Sequence, residues 1–178
     1  MGKLGKLYIE LGSTPKALRT AELCLETVKQ VGNALEFVPE NLKTAELCLI
    51  AVKKSMFGDA LRYVPEALKT QELCFEAVKH DGTALRFVPE KLKTEEICLE
   101  AVNQDGFALQ FVPEKLKTEK MCLEAVKRNG YVLEFVPENL KTAELCLEAV
   151  KYCRIDALEF VPENLKEEIV KIIAHGEQ

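Results

Sequence analysis

Residues 142–151, TAELCLEAVK, are one copy of a phrase that returns with few changes from Thr20, Thr44, Thr70, Thr94 and Thr118. A second phrase of the type ALEFVPENLK follows each copy. Together they form a unit of 24 to 26 residues, and six units fill the chain at 20–43, 44–69, 70–93, 94–117, 118–141 and 142–166. A unit this short cannot bury its own apolar surface. It acquires a core only by stacking on its neighbours, so a period in the twenties confines the chain to a solenoid.

The first unit shows what each position does. Thr20 is an N-cap by type, because its hydroxyl can accept a bond from a free backbone N–H, and Glu22 suits the positive end of the helix dipole. Leu23, Cys24, Thr27 and Val28 fall at i, i+1, i+4 and i+5 on one face; the other five units carry Ala in place of Thr27. Leu25 widens the apolar arc, which calls for cover from a neighbouring unit as well. Gly32, repeated as Gly58, Gly82, Gly106 and Gly130, is expected to end the helix in the left-handed conformation. The sixth unit has Ile155 there, so its turn should differ. Pro39 pushes Val38 out of the helical region and stops a short second helix near Phe37. It can then open one more turn, PENL, which points Leu42 back into the core.

The ends depart from the pattern. Residues 1–19 read as a partial unit and N-terminal cap: Leu11 and Leu18 align with Leu35 and Leu42, while Ser13 and Thr14 replace Phe37 and Val38. The outer side of Leu11 is expected to face water. Residues 167–178 read as the C-terminal cap. Ile169, Val170, Ile173 and Ala174 repeat the core face there, and Lys171 takes the place of Leu25, as expected where no unit follows. The expected fold is a single all-α domain over residues 1–178: a right-handed α-helical solenoid of six helix–turn–short helix repeats between two caps.

The pattern argues against chemistry. Cys24, Cys48, Cys74, Cys98, Cys122 and Cys146 form one column. Stacked helices lie about 8–10 Å apart, beyond the roughly 7 Å that a disulfide spans between Cα atoms. The column should be buried and reduced, and Cys153, in the turn without glycine, should react first. Neither His80 nor His175 has a Cys or acid at ligand or triad spacing, and each glycine stands alone rather than in a phosphate loop. The glutamates recur in columns, such as Glu22, Glu46, Glu72, Glu96 and Glu144, which marks a solvated face and not a catalytic pair. We therefore expect no catalytic, cofactor-binding or metal residue, no small-molecule substrate and no enzyme activity. A net charge of −5 and a pI near 5.3 give no general attraction for nucleic acid or anionic membranes. No apolar run approaches the roughly 20 residues of a membrane helix. The N-terminus lacks a signal-peptide core, and Lys6 stands where a myristoylation motif needs Ser or Thr. The expected location is cytoplasmic.

The units, written LCLEAVKxxGxALxFVPExLK, resemble the bacterial tandem repeat family described as domain of unknown function 4116, over about residues 15–170. They are also similar to helical leucine-rich repeat variants. The resemblance implies a stack with one longer and one shorter helix per unit, and it brings no activity or site residue with it. Leucine-rich repeat variants can carry an iron–sulfur module, but this chain has no clustered cysteine motif for one.

Function is therefore sought where the units differ. Core columns are constrained by stacking, so the positions that vary lie on the surface. One variable column follows the first helix: Gln30, Lys54, His80, Gln104, Arg128 and Tyr152. A second follows the glycine: Asn33, Asp59, Thr83, Phe107, Tyr131 and Asp156. A third lies on the short helix: Glu36, Arg62, Arg86, Gln110, Glu134 and Glu159. The first two border one turn and form one edge, which also carries the inserted Ser55, Met56 and Phe57. Phe57, His80, Phe107, Arg128, Tyr131 and Tyr152 are the candidate partner-binding residues, since aromatic residues and Arg anchor protein interfaces. The expected function is a non-enzymatic repeat scaffold that binds another protein through this edge. The alternative is an acidic inhibitor or effector that mimics nucleic acid and blocks a nucleic-acid enzyme.

Overall fold

The computed structural model describes the backbone of residues 3–56 and 58–176, and the side chains of residues 8–56, 58–151 and 157–174. Its α-helices are Lys3–Ser13 (α1), Ala21–Gln30 (α2), Ala45–Lys54 (α3), Gln71–His80 (α4), Glu95–Gln104 (α5), Glu119–Arg128 (α6), Ala143–Cys153 (α7) and Glu163–Gly176 (α8). Between them run 3-10 helices, such as Gly82–Phe87 and Gly106–Phe111, each followed in the first five units by a proline and a three-residue 3-10 turn such as Glu90–Leu92. No strand occurs among the described residues. Consecutive α-helices pack side by side in one layer, and consecutive 3-10 helices pack side by side in the other. The core lies between the layers, as a repeat solenoid requires.

The local signals act as expected at the helix starts. In every unit the threonine hydroxyl accepts the backbone N–H three residues on, from Thr20 with Leu23 to Thr142 with Leu145, at 3.2–3.3 Å. The second element closes with i to i+3 bonds, such as Val112 N–H to the Leu109 carbonyl at 3.2 Å. It is a 3-10 helix because only six residues, the glycine included, precede the extended valine before proline, too few for a stable α-helix. The column residues Cys98, Ala101, Val102, Ala108 and Leu109 are fully buried, and the other units repeat the arrangement except that Leu158 in the sixth is half-buried.

The glycines hold their place for another reason than the one expected. Among the described residues only Gly58, in the unit with the insertion, has a positive φ, at 63°. At Gly32, Gly82 and Gly106 the glycine is needed because the next unit's α-helix presses on it. A Cβ on Gly82 would stand 2.1 Å from the carbonyl oxygen of Ala101, and one on Gly32 2.1 Å from that of Ala51. Any side chain there would separate two units.

A second contact between units was hidden in the sequence. The last lysine of a unit reaches across to the next unit and donates to the carbonyl that closes its 3-10 helix. Lys43 bonds Tyr63, Lys69 bonds Phe87, Lys93 bonds Phe111, Lys117 bonds Phe135 and Lys141 bonds Phe160, at 2.8–3.0 Å. The following valine is extended and the residue after it is proline, so this carbonyl has left the helix ladder. The same lysine pairs with the glutamate three residues before it. These lysine side chains are only 7–12% exposed, against 64–74% for the glutamates. At the N-terminal end Arg19 does the same work, donating to the Phe37 carbonyl at 2.5 Å and also to Thr14 and Gly12.

The caps differ from the aligned reading. Residues through Ser13 continue α1 as an α-helix, and Leu11 is fully buried rather than wet on one side. Leu18 is 66% exposed, unlike the half-buried Leu42 with which it aligns. At the other end α8 starts at Glu163 and runs unbroken past residue 167, because no three-residue turn intervenes. Of its expected core face, Ile169 is buried and Ile173 half-buried, while Val170 and Ala174 are exposed. In the sixth unit, the one without the glycine, Arg154–Phe160 follows directly on Cys153, so that turn does differ.

The lysine contact gives a test of the stacking. Lys93→Met keeps the aliphatic stem and strands the Phe111 carbonyl, so it should cost about 1.5–3 kcal/mol, the range for a hydrogen bond to a charged group. Glu90→Gln removes only the exposed partner and should cost less than about 1 kcal/mol. Urea melts of the two variants check the order.

Candidate functional site

The variable edge is built by contacts between successive turns. The position of a Cβ on Gly106 lies 3.3 Å from the Cβ of Arg128, which sets Phe107 beside the end of α6. The equivalent position on Gly58 lies 2.9 Å from the Cβ of Asp81, which sets the inserted turn beside the end of α4 and His80. The first two variable columns therefore do share one edge.

The backbone of that edge is pinned by side chains. The Oδ1 atoms of Asp81, Asp105 and Asn129 accept the N–H groups of Thr83, Phe107 and Tyr131 at 2.8, 2.9 and 3.0 Å. Such a bond to the residue two places on fixes the turn. In the unit with the insertion, Ser55 takes over: it is buried, donates its hydroxyl to Asn33 Oδ1 at 2.8 Å and accepts the Ala60 N–H at 3.4 Å. The inserted loop is thus anchored to the preceding unit, and Met56 beside it is 82% exposed.

Of the six candidate residues, His80 and Arg128 are exposed at helix ends, and Tyr131 is 42% exposed at the next turn. Phe107 is half-buried and packs against the core, so it offers less of its ring than the sequence suggests. Phe57 and the side chain of Tyr152 lie outside the described residues. Met56 is the most exposed large apolar side chain described, although the sequence gives Phe57 the leading part in the insertion. A surface groove of about 260 Å³ lies elsewhere, between α6 and α7, lined by Glu119, Lys120, Leu123, Thr142, Glu144 and Leu145.

Two further features belong to the second layer. The column Tyr63, Phe87, Phe111, Phe135 and Phe160 is half-buried. Two of its rings carry cations: the Arg86 guanidinium lies 4.5 Å from the Phe87 centroid and that of Arg62 lies 5.9 Å from the Tyr63 centroid. At the N-terminal end Tyr8 donates its hydroxyl to Glu36 and packs edge-on against Phe37. That bond to a carboxylate, with burial, pushes the Tyr8 hydroxyl up to about 12.

The cysteine column is free, fully buried and reduced. Burial pushes the thiols of Cys48, Cys74, Cys98, Cys122 and Cys146 up to about 11, against a smaller opposing effect of the neighbouring lysine. Thiols held protonated in this way are poor nucleophiles and poor metal ligands. Among the described residues no three His, Cys, Asp or Glu side chains converge as a metal site, and no helix is long and apolar enough to cross a membrane.

Fold and site together define the class: an all-α repeat solenoid with a constant core and one variable, rigidly held edge. Within that class the chain belongs to the family described as Domain of unknown function (DUF4116), whose model matches residues 21–69, 70–117 and 118–166. Each match spans two of the units. No curated protein matches the chain.

The thiol column links stability to pH. The unfolded chain loses thiol protons from the ordinary value of 9.0, while the folded column keeps them to about 11. The stability that burial gives is therefore whole below about pH 9 and falls as pH rises towards 11. Urea midpoints should hold steady up to about pH 9 and drop above it, and the drop should be shallower in Cys98→Ala.

Proposed function

We propose that the protein is a non-enzymatic scaffold of the cytoplasm that binds another protein through the turn edge of the solenoid. One observation carries the reading: two of the three columns that vary between units lie on an edge whose backbone is pinned by Asp81, Asp105 and Asn129, while Met56 and Tyr131 project from it. A rigid edge loses little entropy on binding, and Met, Tyr and Arg are the residue types that interfaces favour. The buried, protonated thiols support a role without catalysis.

The reading as a nucleic-acid mimic needs an acidic ridge, but the exposed glutamates at 66, 90, 114 and 138 are each paired with the lysine three residues on, which weakens the field they project. The two readings differ in salt dependence, because only the mimic depends on long-range charge.

Affinity capture with the whole chain, from cells that make it, tests the proposal when run beside a Met56→Asp/Tyr131→Asp variant of unchanged melting temperature. A protein held by the original chain at moderate salt and released by the variant is the expected result. A protein held equally by both, or one lost from the original chain on raising salt alone, would contradict it.

A further inference from the structure

The third variable column adjoins that edge, which it touches through the Arg86–Asp59 pair, and its charges have an order. Along the layer of 3-10 helices it reads Arg62, Arg86, Gln110, Glu134 and Glu159, all exposed. The signs are two positive, one neutral and two negative. Reversed about Gln110, the series is its own complement: Arg86 meets Glu134, Arg62 meets Glu159, and Gln110 meets itself. We propose that this face binds a second copy of the chain, antiparallel, about a two-fold axis at Gln110.

The neighbouring column supplies an apolar surface with the same centre. Tyr63, Phe87, Phe111, Phe135 and Phe160 are half-buried and symmetric about Phe111. The contacts of Arg62 and Arg86 with two of these rings place both columns on one surface. Half-exposed rings flanked by complementary charges are what an isologous interface needs, since one patch must fit its own copy.

The charge order also selects the orientation. In a parallel pair Arg62 would face Arg62 and Glu159 would face Glu159, and like charges in register repel. Only the antiparallel pair opposes unlike charges along the whole column. Gln110 suits the axis, because an amide can both donate to and accept from its own copy. Glu36 breaks the series, and it is also the member drawn inward by the Tyr8 hydroxyl. Arg86 is already paired with Asp59 at 2.5 Å, but a guanidinium has five donors and can take a second carboxylate. The glutamates at 66, 90, 114 and 138 border the face and oppose association; each is held by the lysine three residues on, which reduces that opposition.

Sedimentation of the purified chain tests this. The original chain should be a dimer at concentrations on the order of 100 μM. Arg62→Glu/Arg86→Glu and Glu134→Arg/Glu159→Arg should each associate at least about tenfold more weakly. An equimolar mixture of the two variants should recover a dimer, because one column is then wholly acidic and the other wholly basic. Circular dichroism shows whether both variants are folded; if one is not, Arg62→Gln/Arg86→Gln should still weaken the dimer. A monomeric original chain, a dimer indifferent to these changes, or folded variants that do not pair when mixed would overturn the proposal.

Discussion

The stack depends on one recurring bond, from the lysine that ends a unit to the carbonyl that ends the next unit's 3-10 helix. Proline sets up the need for it. By forcing the preceding valine into extended backbone, it leaves the aromatic residue's carbonyl outside any ladder. A cation is the natural partner at a helix C-terminus, and a lysine from the neighbouring unit reaches it with a mostly buried stem. Apolar columns alone would let units slide or rotate. A directed bond at every junction, together with the glycine against which the next α-helix presses, fixes each unit's position on its neighbour.

With the units so fixed, the surface divides by position. The exposed flank of the α-helices is largely charged, and the second layer carries the aromatic column with its ordered charges. Turn residues between the layers vary in side chain and are fixed in backbone by bonds such as Asp105 Oδ1 to the Phe107 N–H. That combination is what a recognition surface built from repeats requires: variation at chosen points on a frame that does not vary. The variable edge and the 3-10 face meet at the Arg86–Asp59 pair, while Met56 and Tyr131 belong to the edge alone and the aromatic column to the face alone.

Much of the fold was legible because its signals are local. A threonine before an apolar run caps a helix within three residues, and a proline acts on the residue beside it; Thr94 and Pro113 did what their types imply. The misreadings were non-local. Gly82 is explained by the Ala101 carbonyl in the next unit, not by its own φ. Lys93 looks like a solvated helix-end lysine, although its recurrence in every unit, with Arg19 at the start, was a signal of a structural task. The candidate site was legible in position, since the two variable columns do share an edge. It was less so in presentation: the core draws Phe107 in, while Met56 stands out because Ser55 beside it is anchored.

The central claim is that constant columns make the stack and the variable positions leave it alone. A stability scan of every position in the fourth unit, residues 94–117, within the whole chain tests it most directly. The account predicts that substitutions at Cys98, Ala101, Gly106, Leu109 and Lys117 destabilise, while those at Gln104 and Gln110 stay within about 1 kcal/mol of the original chain. Losses at Gln104 and Gln110 as large as those at Leu109 and Lys117 would contradict it.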